Sequence, residues 1–476
     1  MRIEKDGLGE LELPDDCLYG IQSGRARNNF SLGYKKTALP LIYAMATIKK
    51  AAARSWQKTG APAASGREGV FEAIAAACDQ VLAGAADDAF ITGALQGGAG
   101  TSAHMNVNEV IANLALRLLG EKPGAYEVIH PLDDVNRGQS TNDVYPTALR
   151  IAAIGLLREL SGHCAKLQEA LQKKETAFED IPKLGRTELM DATPVTLGNE
   201  FAAYAQAIAR DRWRLYKAEE RLRQVNIGGA AVGLPDTDPA ARKYRYAVIE
   251  ELRELTGMGL AAAEYPMDVT QNNDVFVEVS GLLKALAVNL AKIAGDLRLM
   301  NSGPRGGLGE IVLAPMQAGS TIMPGKVNPV IPEMAVQVSI KVMANDYALC
   351  MAASRGEFEL NAFSPLIADA LMESLSLLCR ALPIFREKCI EPLRANGERC
   401  AALLENSLAF AAAWVPRLGY DKVRSIIEAR GGDPEKVRQA LEKFECQGTG
   451  ADTLSRTPVA SEGKAEPYTA GEQHGD

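Results

Sequence analysis

Apolar positions recurring at steps of three and four dominate this chain, and the strict alternation that marks half-buried strands is scarce. The clearest run begins near Val275 and carries Val279, Leu282, Leu286, Leu290, Ile293 and Leu297 along one stripe. Lys284, Lys292 and Asp296 occupy other faces. No central breaker interrupts it, so the pattern predicts a helix longer than the globular average, as in a long bundle. Similar patterns cover residues 149–174, 198–225 and 333–351. Asp143-Val144-Tyr145-Pro146 reads as the start of the first of these, with Pro tolerated in a first turn. Before about residue 140 the pattern is more broken and predicts short helices and loops. Short helices return after about residue 396 and end near Phe444. From Gln447 onward Gly, Ser, Thr, Glu and Pro prevail, the composition of a disordered tail. The expected architecture is all-α. It comprises a mostly helical N-terminal domain (1–140), a central long-helix bundle (141–396), a small helical C-terminal domain (397–446) and a tail (447–476).

Composition narrows the chemistry. The 476 residues, 47% hydrophobic and 24% charged, suit a soluble protein with two or three domains sharing large cores. A net charge of −8 argues against a nucleic-acid partner, which calls for a basic face. Anion binding would require a locally donor-rich pocket. Eight scattered cysteines without a CxxC pair fit thiols in a reducing compartment. His104, His130, His163 and His474 share no metal-ligand spacing, so no metal is expected. The first residues lack the apolar core of a signal peptide, and no uncharged apolar run reaches the length of a membrane span. These features predict a cytoplasmic protein with no membrane partner.

Four segments concentrate hydrogen-bond donors. Gly319-Ser320-Thr321-Ile322-Met323-Pro324-Gly325-Lys326-Val327-Asn328-Pro329 joins glycines, hydroxyls, a cation and an amide between prolines that forbid helix. Such a loop suits a small anion and can close over it; from composition alone a polar surface turn fits as well. Gly97-Gly98-Ala99-Gly100-Thr101-Ser102 feeds a helical pattern over 106–119, so Thr101 is either an anion contact or part of a helix cap. Gln139-Ser140-Thr141-Asn142, just before a long helix, holds more polar side chains than a cap requires. His130 upstream is either an acid–base group or a structural ring. Gly185-Arg186-Thr187-Glu188-Leu189-Met190-Asp191 reads as a turn between helices, where an Arg186–Asp191 pair would contribute little if exposed.

Together these segments resemble the signature regions of the aspartase/fumarase superfamily, in its order and spacing, from Tyr19-Gly20-Ile21-Gln22 to about Phe444. Val330-Ile331-Pro332-Glu333 and Leu297-Arg298-Leu299-Met300-Asn301-Ser302-Gly303-Pro304-Arg305 are similar to the aspartase branch, whereas Asp191-Ala192-Thr193-Pro194 is closer to fumarases. The resemblance implies a homotetramer whose central domains pool their long helices, with each active site built from three chains. It also implies cofactor-free anti-elimination from a substituted succinate, giving fumarate through an aci-carboxylate. On that basis Ser320 is the base, and Thr101, Ser140, Thr141 and Thr321 hold the carboxylate that gains charge. Lys326 and Asn328 hold the other carboxylate, Asn142 and Thr187 meet the leaving group, and His130 acts behind them. Glu188 stands where many relatives carry His or Gln. An ionised carboxylate there favours a cationic amine over a hydroxyl, so the expected reaction is ammonia-lyase chemistry on L-aspartate or a substituted aspartate. The alternatives are a fumarate hydratase and a non-catalytic paralogue; Ser320, Lys326 and Asn328 are all present, which disfavours the second. Serine-hydrolase chemistry lacks its G-x-S-x-G elbow.

Overall fold

The apolar stripes become long helices. The computed structural model describes residues 1–234 and 239–447, in two compact units. The first unit, 1–181 with 196–399, contains α1 (Ile21–Asn29), α2 (Leu39–Lys58), α3 (Val70–Leu82), α4 (Thr101–Leu118), α5 (Thr141–Ala177), α6 (Leu197–Leu222), α7 (Pro239–Thr256), α8 (Pro266–Gln271), α9 (Asp274–Met300), α10 (Val330–Ala353) and α11 (Ser364–Phe385). Helices α5, α6, α9, α10 and α11 pack on one another as the central bundle. Along α9, Val279, Leu283, Leu286, Leu290, Ile293 and Leu297 are buried, so the stripe runs through Leu283 rather than Leu282. Each such leucine contributes about 2 kcal/mol by leaving water. Among the described residues no helix is long and apolar enough to cross a membrane.

Three expectations change. The segment before residue 140 is less broken than its pattern suggests: α2 spans 20 residues and α4 spans 18. Buried polar residues in α4 (Asn106, Asn108, Glu109 and Asn113) interrupt its apolar stripe and hide its length. Glu109 explains its own burial. Its carboxylate accepts from the backbone N–H groups of Gly20, Gln22 and Ser23 at 2.8–3.1 Å. It thereby caps α1, whose own N-cap residue supplies no side chain. Second, α5 begins at Thr141, so Pro146 lies in its second turn rather than its first. Third, α6 stops at Leu222, three residues short of the predicted end, and Gln224–Val225 instead pairs with Ala261–Ala262.

The second unit joins residues 182–195 to the chain from Cys400 onward. Its C-terminal helices pack Ala411, Val423, Ile426, Val437 and Leu441 into a small core. Residues 182–195 are not an irregular loop between helices but a two-stranded hairpin, Pro182–Thr187 paired with Met190–Thr196. The predicted tail beyond Gln447 lies outside the described residues.

Candidate active site

The predicted site residues fall into three groups. The first lies where the N-termini of α4 and α5 meet. Gly98, Ala99 and Gly100 all take positive φ (78°, 54° and 96°) and turn the chain sharply into α4. A Cβ at Gly100 would sit 2.4 Å from the Tyr145 ring of α5, so only glycine lets the two helix ends approach. Thr101 is the first residue of α4 and is exposed, its hydroxyl donating to Gly98 O at 2.7 Å. Ser140 is the N-cap of α5 and forms a capping box with Asp143; Thr141 and Asn142 fill the first turn, half-exposed. Several first-turn N–H groups are already engaged, Thr101 by Gly98 O, Ala103 by Gln96 Oε1 and Asn142 by Ser140 Oγ, so it is chiefly the partial positive charge of the two helix ends that favours a carboxylate here.

Buried partners fix this region. The Asp143 carboxylate accepts from Ser140 N–H (2.9 Å), Gly228 N–H (3.0 Å) and Ala230 N–H (3.2 Å). Burial pushes its carboxyl up to about 7, while those N–H groups oppose the shift. Pro146 has no N–H to give Asn142 O, four residues earlier; Asn226 Nδ2 donates to that oxygen instead, at 2.9 Å. Asn226 Nδ2 also donates to Thr270 Oγ1 at 2.8 Å, which ties the start of α5 to α8, just ahead of α9. Asn142 Nδ2 donates to Ala231 O at 2.7 Å. Behind Thr141, His104 Nδ1 lies 2.9 Å from the Thr141 hydroxyl, and the other ring nitrogen lies 2.6 Å from Lys49 Nζ. Asp143, Asn226, His104 and Lys49 are missing from the sequence-derived set. Ser140 and Asp143, three residues apart ahead of an apolar run, carry the one signal that could have found any of them.

The second group is the loop before α10. Gly319 N–H donates to Lys326 O (2.9 Å) and Asn328 Nδ2 donates to Gly319 O (2.7 Å), closing the segment on itself. A Cβ on Gly319 would lie 2.5 Å from Lys326 O, so a side chain there would prise the closure open. Inside it, the Ser320 hydroxyl oxygen accepts from the backbone N–H groups of Ile322 (3.2 Å) and Met323 (2.8 Å). Thr321 and Lys326 are exposed, and Lys326 and Asn328 line a cleft of about 690 Å³ with Arg298, Asn301 and other residues at the end of α9.

These two groups stand apart within one chain. The first is fastened through Asn226 and Thr270 to α8, which ends just ahead of α9, and the second lines a cleft at the far end of α9. The 27 residues of α9 span about 40 Å. His130 belongs to neither cleft nor loop: its Nδ1 accepts from the N–H groups of Leu132 (3.3 Å) and Asp133 (3.2 Å), capping the turn Pro131–Val135.

The third group sits in the second unit. Thr187 ends the first strand of the hairpin, and Glu188 and Leu189 form its two-residue connection, with φ of 55° and 66°. That is the hand of a type I′ turn, here built without glycine. Thr187, Glu188 and Leu189 are all exposed.

Comparisons with known proteins agree with one another. A family model described as lyase matches residues 9–344. An aspartate ammonia-lyase of Pseudomonas aeruginosa is 44% identical over 95% of both chains, and one of Bacillus sp is 42% identical over 93% of this chain and 94% of its own. Among solved structures, fumarate lyase:delta crystallin from Brucella melitensis superposes with a TM-score of 0.85 at 43% identity, covering 92% of this chain and 99% of that one. A class II fumarase from Schistosoma mansoni gives 0.85 at 29% identity, covering 93% and 97%.

Proposed function

We propose, for a chain that belongs to the aspartase/fumarase family of lyases, that it is a carbon–nitrogen lyase removing ammonia or an amine from L-aspartate or a substituted aspartate to give fumarate. The observation that carries this reading is the Ser320 hydroxyl, whose oxygen accepts two backbone N–H groups. A serine hydroxyl does not ionise near neutral pH unaided. Two N–H donors favour its alkoxide, and the Lys326 ammonium in the same loop adds positive charge. Ser320 then takes the Cβ proton. The adjacent carboxylate becomes an aci-carboxylate, and Ser140, Thr141 and Thr321 supply the donors that stabilise it, joined by Thr101 once its hydroxyl turns from Gly98 O to the substrate; such contributions are usually the largest in a reaction of this kind. Lys326 and Asn328 hold the second carboxylate. Asn142, with Nδ2 engaged by Ala231, offers Oδ1 to an ammonium leaving group, as Thr187 offers its hydroxyl. His130, which caps the turn Pro131–Val135, is read as a supporting residue and not as the base.

The separation of Ser320 from Thr141 by the length of α9 supports a site assembled from several chains. We accordingly read the protein as a homotetramer with active sites shared by three chains. Exposed apolar residues on the bundle, among them Val288, Ile340, Tyr347 and Met351, fit a face covered by neighbouring copies. The expected setting is cytoplasmic.

The test is the appearance of fumarate absorbance when the purified protein is given L-aspartate and, separately, L-malate. Fumarate from aspartate alone is the expected result; fumarate from malate alone would make the protein a hydratase. Glu188 bears on which amine leaves. Its exposed carboxylate suits a cation, so a Glu188→Gln variant is expected to gain several-fold in kcat/KM on L-aspartate if the native residue has tuned the site toward a larger amine. Unchanged or lower activity would reduce Glu188 to a neutral substitution.

A further inference from the structure

Lys49, on α2, is fully buried, and its ammonium has three acceptors: Asn136 Oδ1 at 2.8 Å, Gln139 Oε1 at 2.9 Å and His104 Nε2 at 2.6 Å. The two amides cannot be turned round. Asn136 Nδ2 already donates to Gln139 O at 3.1 Å, and Gln139 Nε2 to Val135 O and Arg137 O at 3.3 Å. Both therefore present oxygen to Lys49. An ammonium has three N–H donors and no lone pair, so His104 Nε2 must accept the third. Burial and the Lys49 charge hold the His104 pKa well below its ordinary value, so the ring is neutral. Its single proton is then on Nδ1, facing Thr141 Oγ1 at 2.9 Å.

We propose that His104 is a positioning residue that orients the Thr141 hydroxyl: its Nδ1–H, fixed by Lys49 at the opposite nitrogen, donates to Thr141 Oγ1 and leaves the hydroxyl proton for the substrate carboxylate. This rests on Thr141 contacting that carboxylate. The arrangement has a second state. If Lys49 loses one proton to solvent, its amine keeps two N–H donors for Asn136 and Gln139 and gains a lone pair. The neutral ring then shifts its proton from Nδ1 to Nε2, donates to that lone pair and accepts the Thr141 O–H at Nδ1. The threonine proton is withdrawn from the substrate. The titratable groups that bear on Lys49 are His104 on α4, Asp143 on α5 and Cys78 on α3; burial draws the ammonium pKa down to about 7 against the pull of the Asp143 carboxylate, while burial keeps the Cys78 thiol neutral. The donating state therefore belongs to the acid side of the Lys49 titration.

The decisive measurement is the ¹⁵N spectrum of histidine-labelled, full-length protein across the pH range, with His104→Asn identifying the signal among four histidines. An Nδ1–H tautomer below neutral pH, passing to Nε2–H as Lys49 deprotonates, is the expected result. An Nε2–H tautomer below neutral pH overturns the proposal. Kinetics supply the second arm. His104→Leu is expected to lower kcat about tenfold with KM nearly unchanged, and to cost nothing more in a Thr141→Val background. Losses that add across the two substitutions would mean that His104 does not act through Thr141. If the wild-type protein forms no fumarate from aspartate or malate, the proposed reaction fails on its own account, and the tautomer spectrum still decides whether Lys49 sets the ring.

Discussion

Ser320→Ala is expected to reduce kcat on L-aspartate by about three orders of magnitude, the middle of the range for loss of a positioned base, while leaving the fold intact. The Ser320 oxygen is an acceptor for two N–H groups in a loop whose Ile322 and Met323 are exposed, so water takes over those donors once the hydroxyl is gone. The thermal midpoint should hence stay within the range of ordinary surface substitutions. A variant that kept its kcat would remove Ser320 from the role of base. The same variant tests the shared site. Refolded together with an equal amount of Thr141→Ala protein, it should recover about a quarter of wild-type activity, because random assembly into a closed oligomer pairs an intact loop with an intact helix end at one site in four. No recovery would place both residues in a site made by a single chain.

Asp143→Asn should produce the largest loss of stability among residues near the site, about 3 kcal/mol. One carboxylate oxygen accepts from Ser140 and the other from both Gly228 and Ala230, so whichever end the new amide turns, an N–H donor faces another donor in a site closed to water. The damage does not stop at stability. Losing the capping box frees Ser140, Thr141 and Asn142 from their present orientation, and kcat should fall with it. Denaturation midpoints and fumarate formation measured on the same sample check both parts. A fully stable variant would mean that the buried hydrogen bonds around Asp143 are not what holds the start of α5.

What could be read in advance follows from how each feature is encoded. Helices α5, α6, α9 and α10 carry apolar residues at steps of three and four over many turns, and their positions were legible to within several residues at each end. The hairpin of residues 182–195 was not. Its strands lack regular alternation, and its connection is Glu188-Leu189 where the expected chemistry is asparagine and glycine. Only the surrounding chain imposes positive φ on those two residues. Likewise Lys49 sits in Ile48-Lys49-Lys50, which reads as a helix face in water; its burial depends on His104, Asn136 and Gln139, from elsewhere in the chain. The donor-rich segments were visible as composition. Their grouping into helix ends, loop and hairpin was a matter of tertiary structure.

Helix α9 fixes a phase as well as a length. Deleting one residue from it would shorten the span by about 1.5 Å but turn everything beyond by about 100°, swinging the loop of Ser320 to another side of the bundle. Deleting seven would nearly restore the angle, within about 20°, yet draw the two ends together by about 10 Å. No small deletion satisfies both requirements. The helix can therefore change its residues one by one, while its number of residues is locked by the distance and bearing between the two donor-rich groups that it separates.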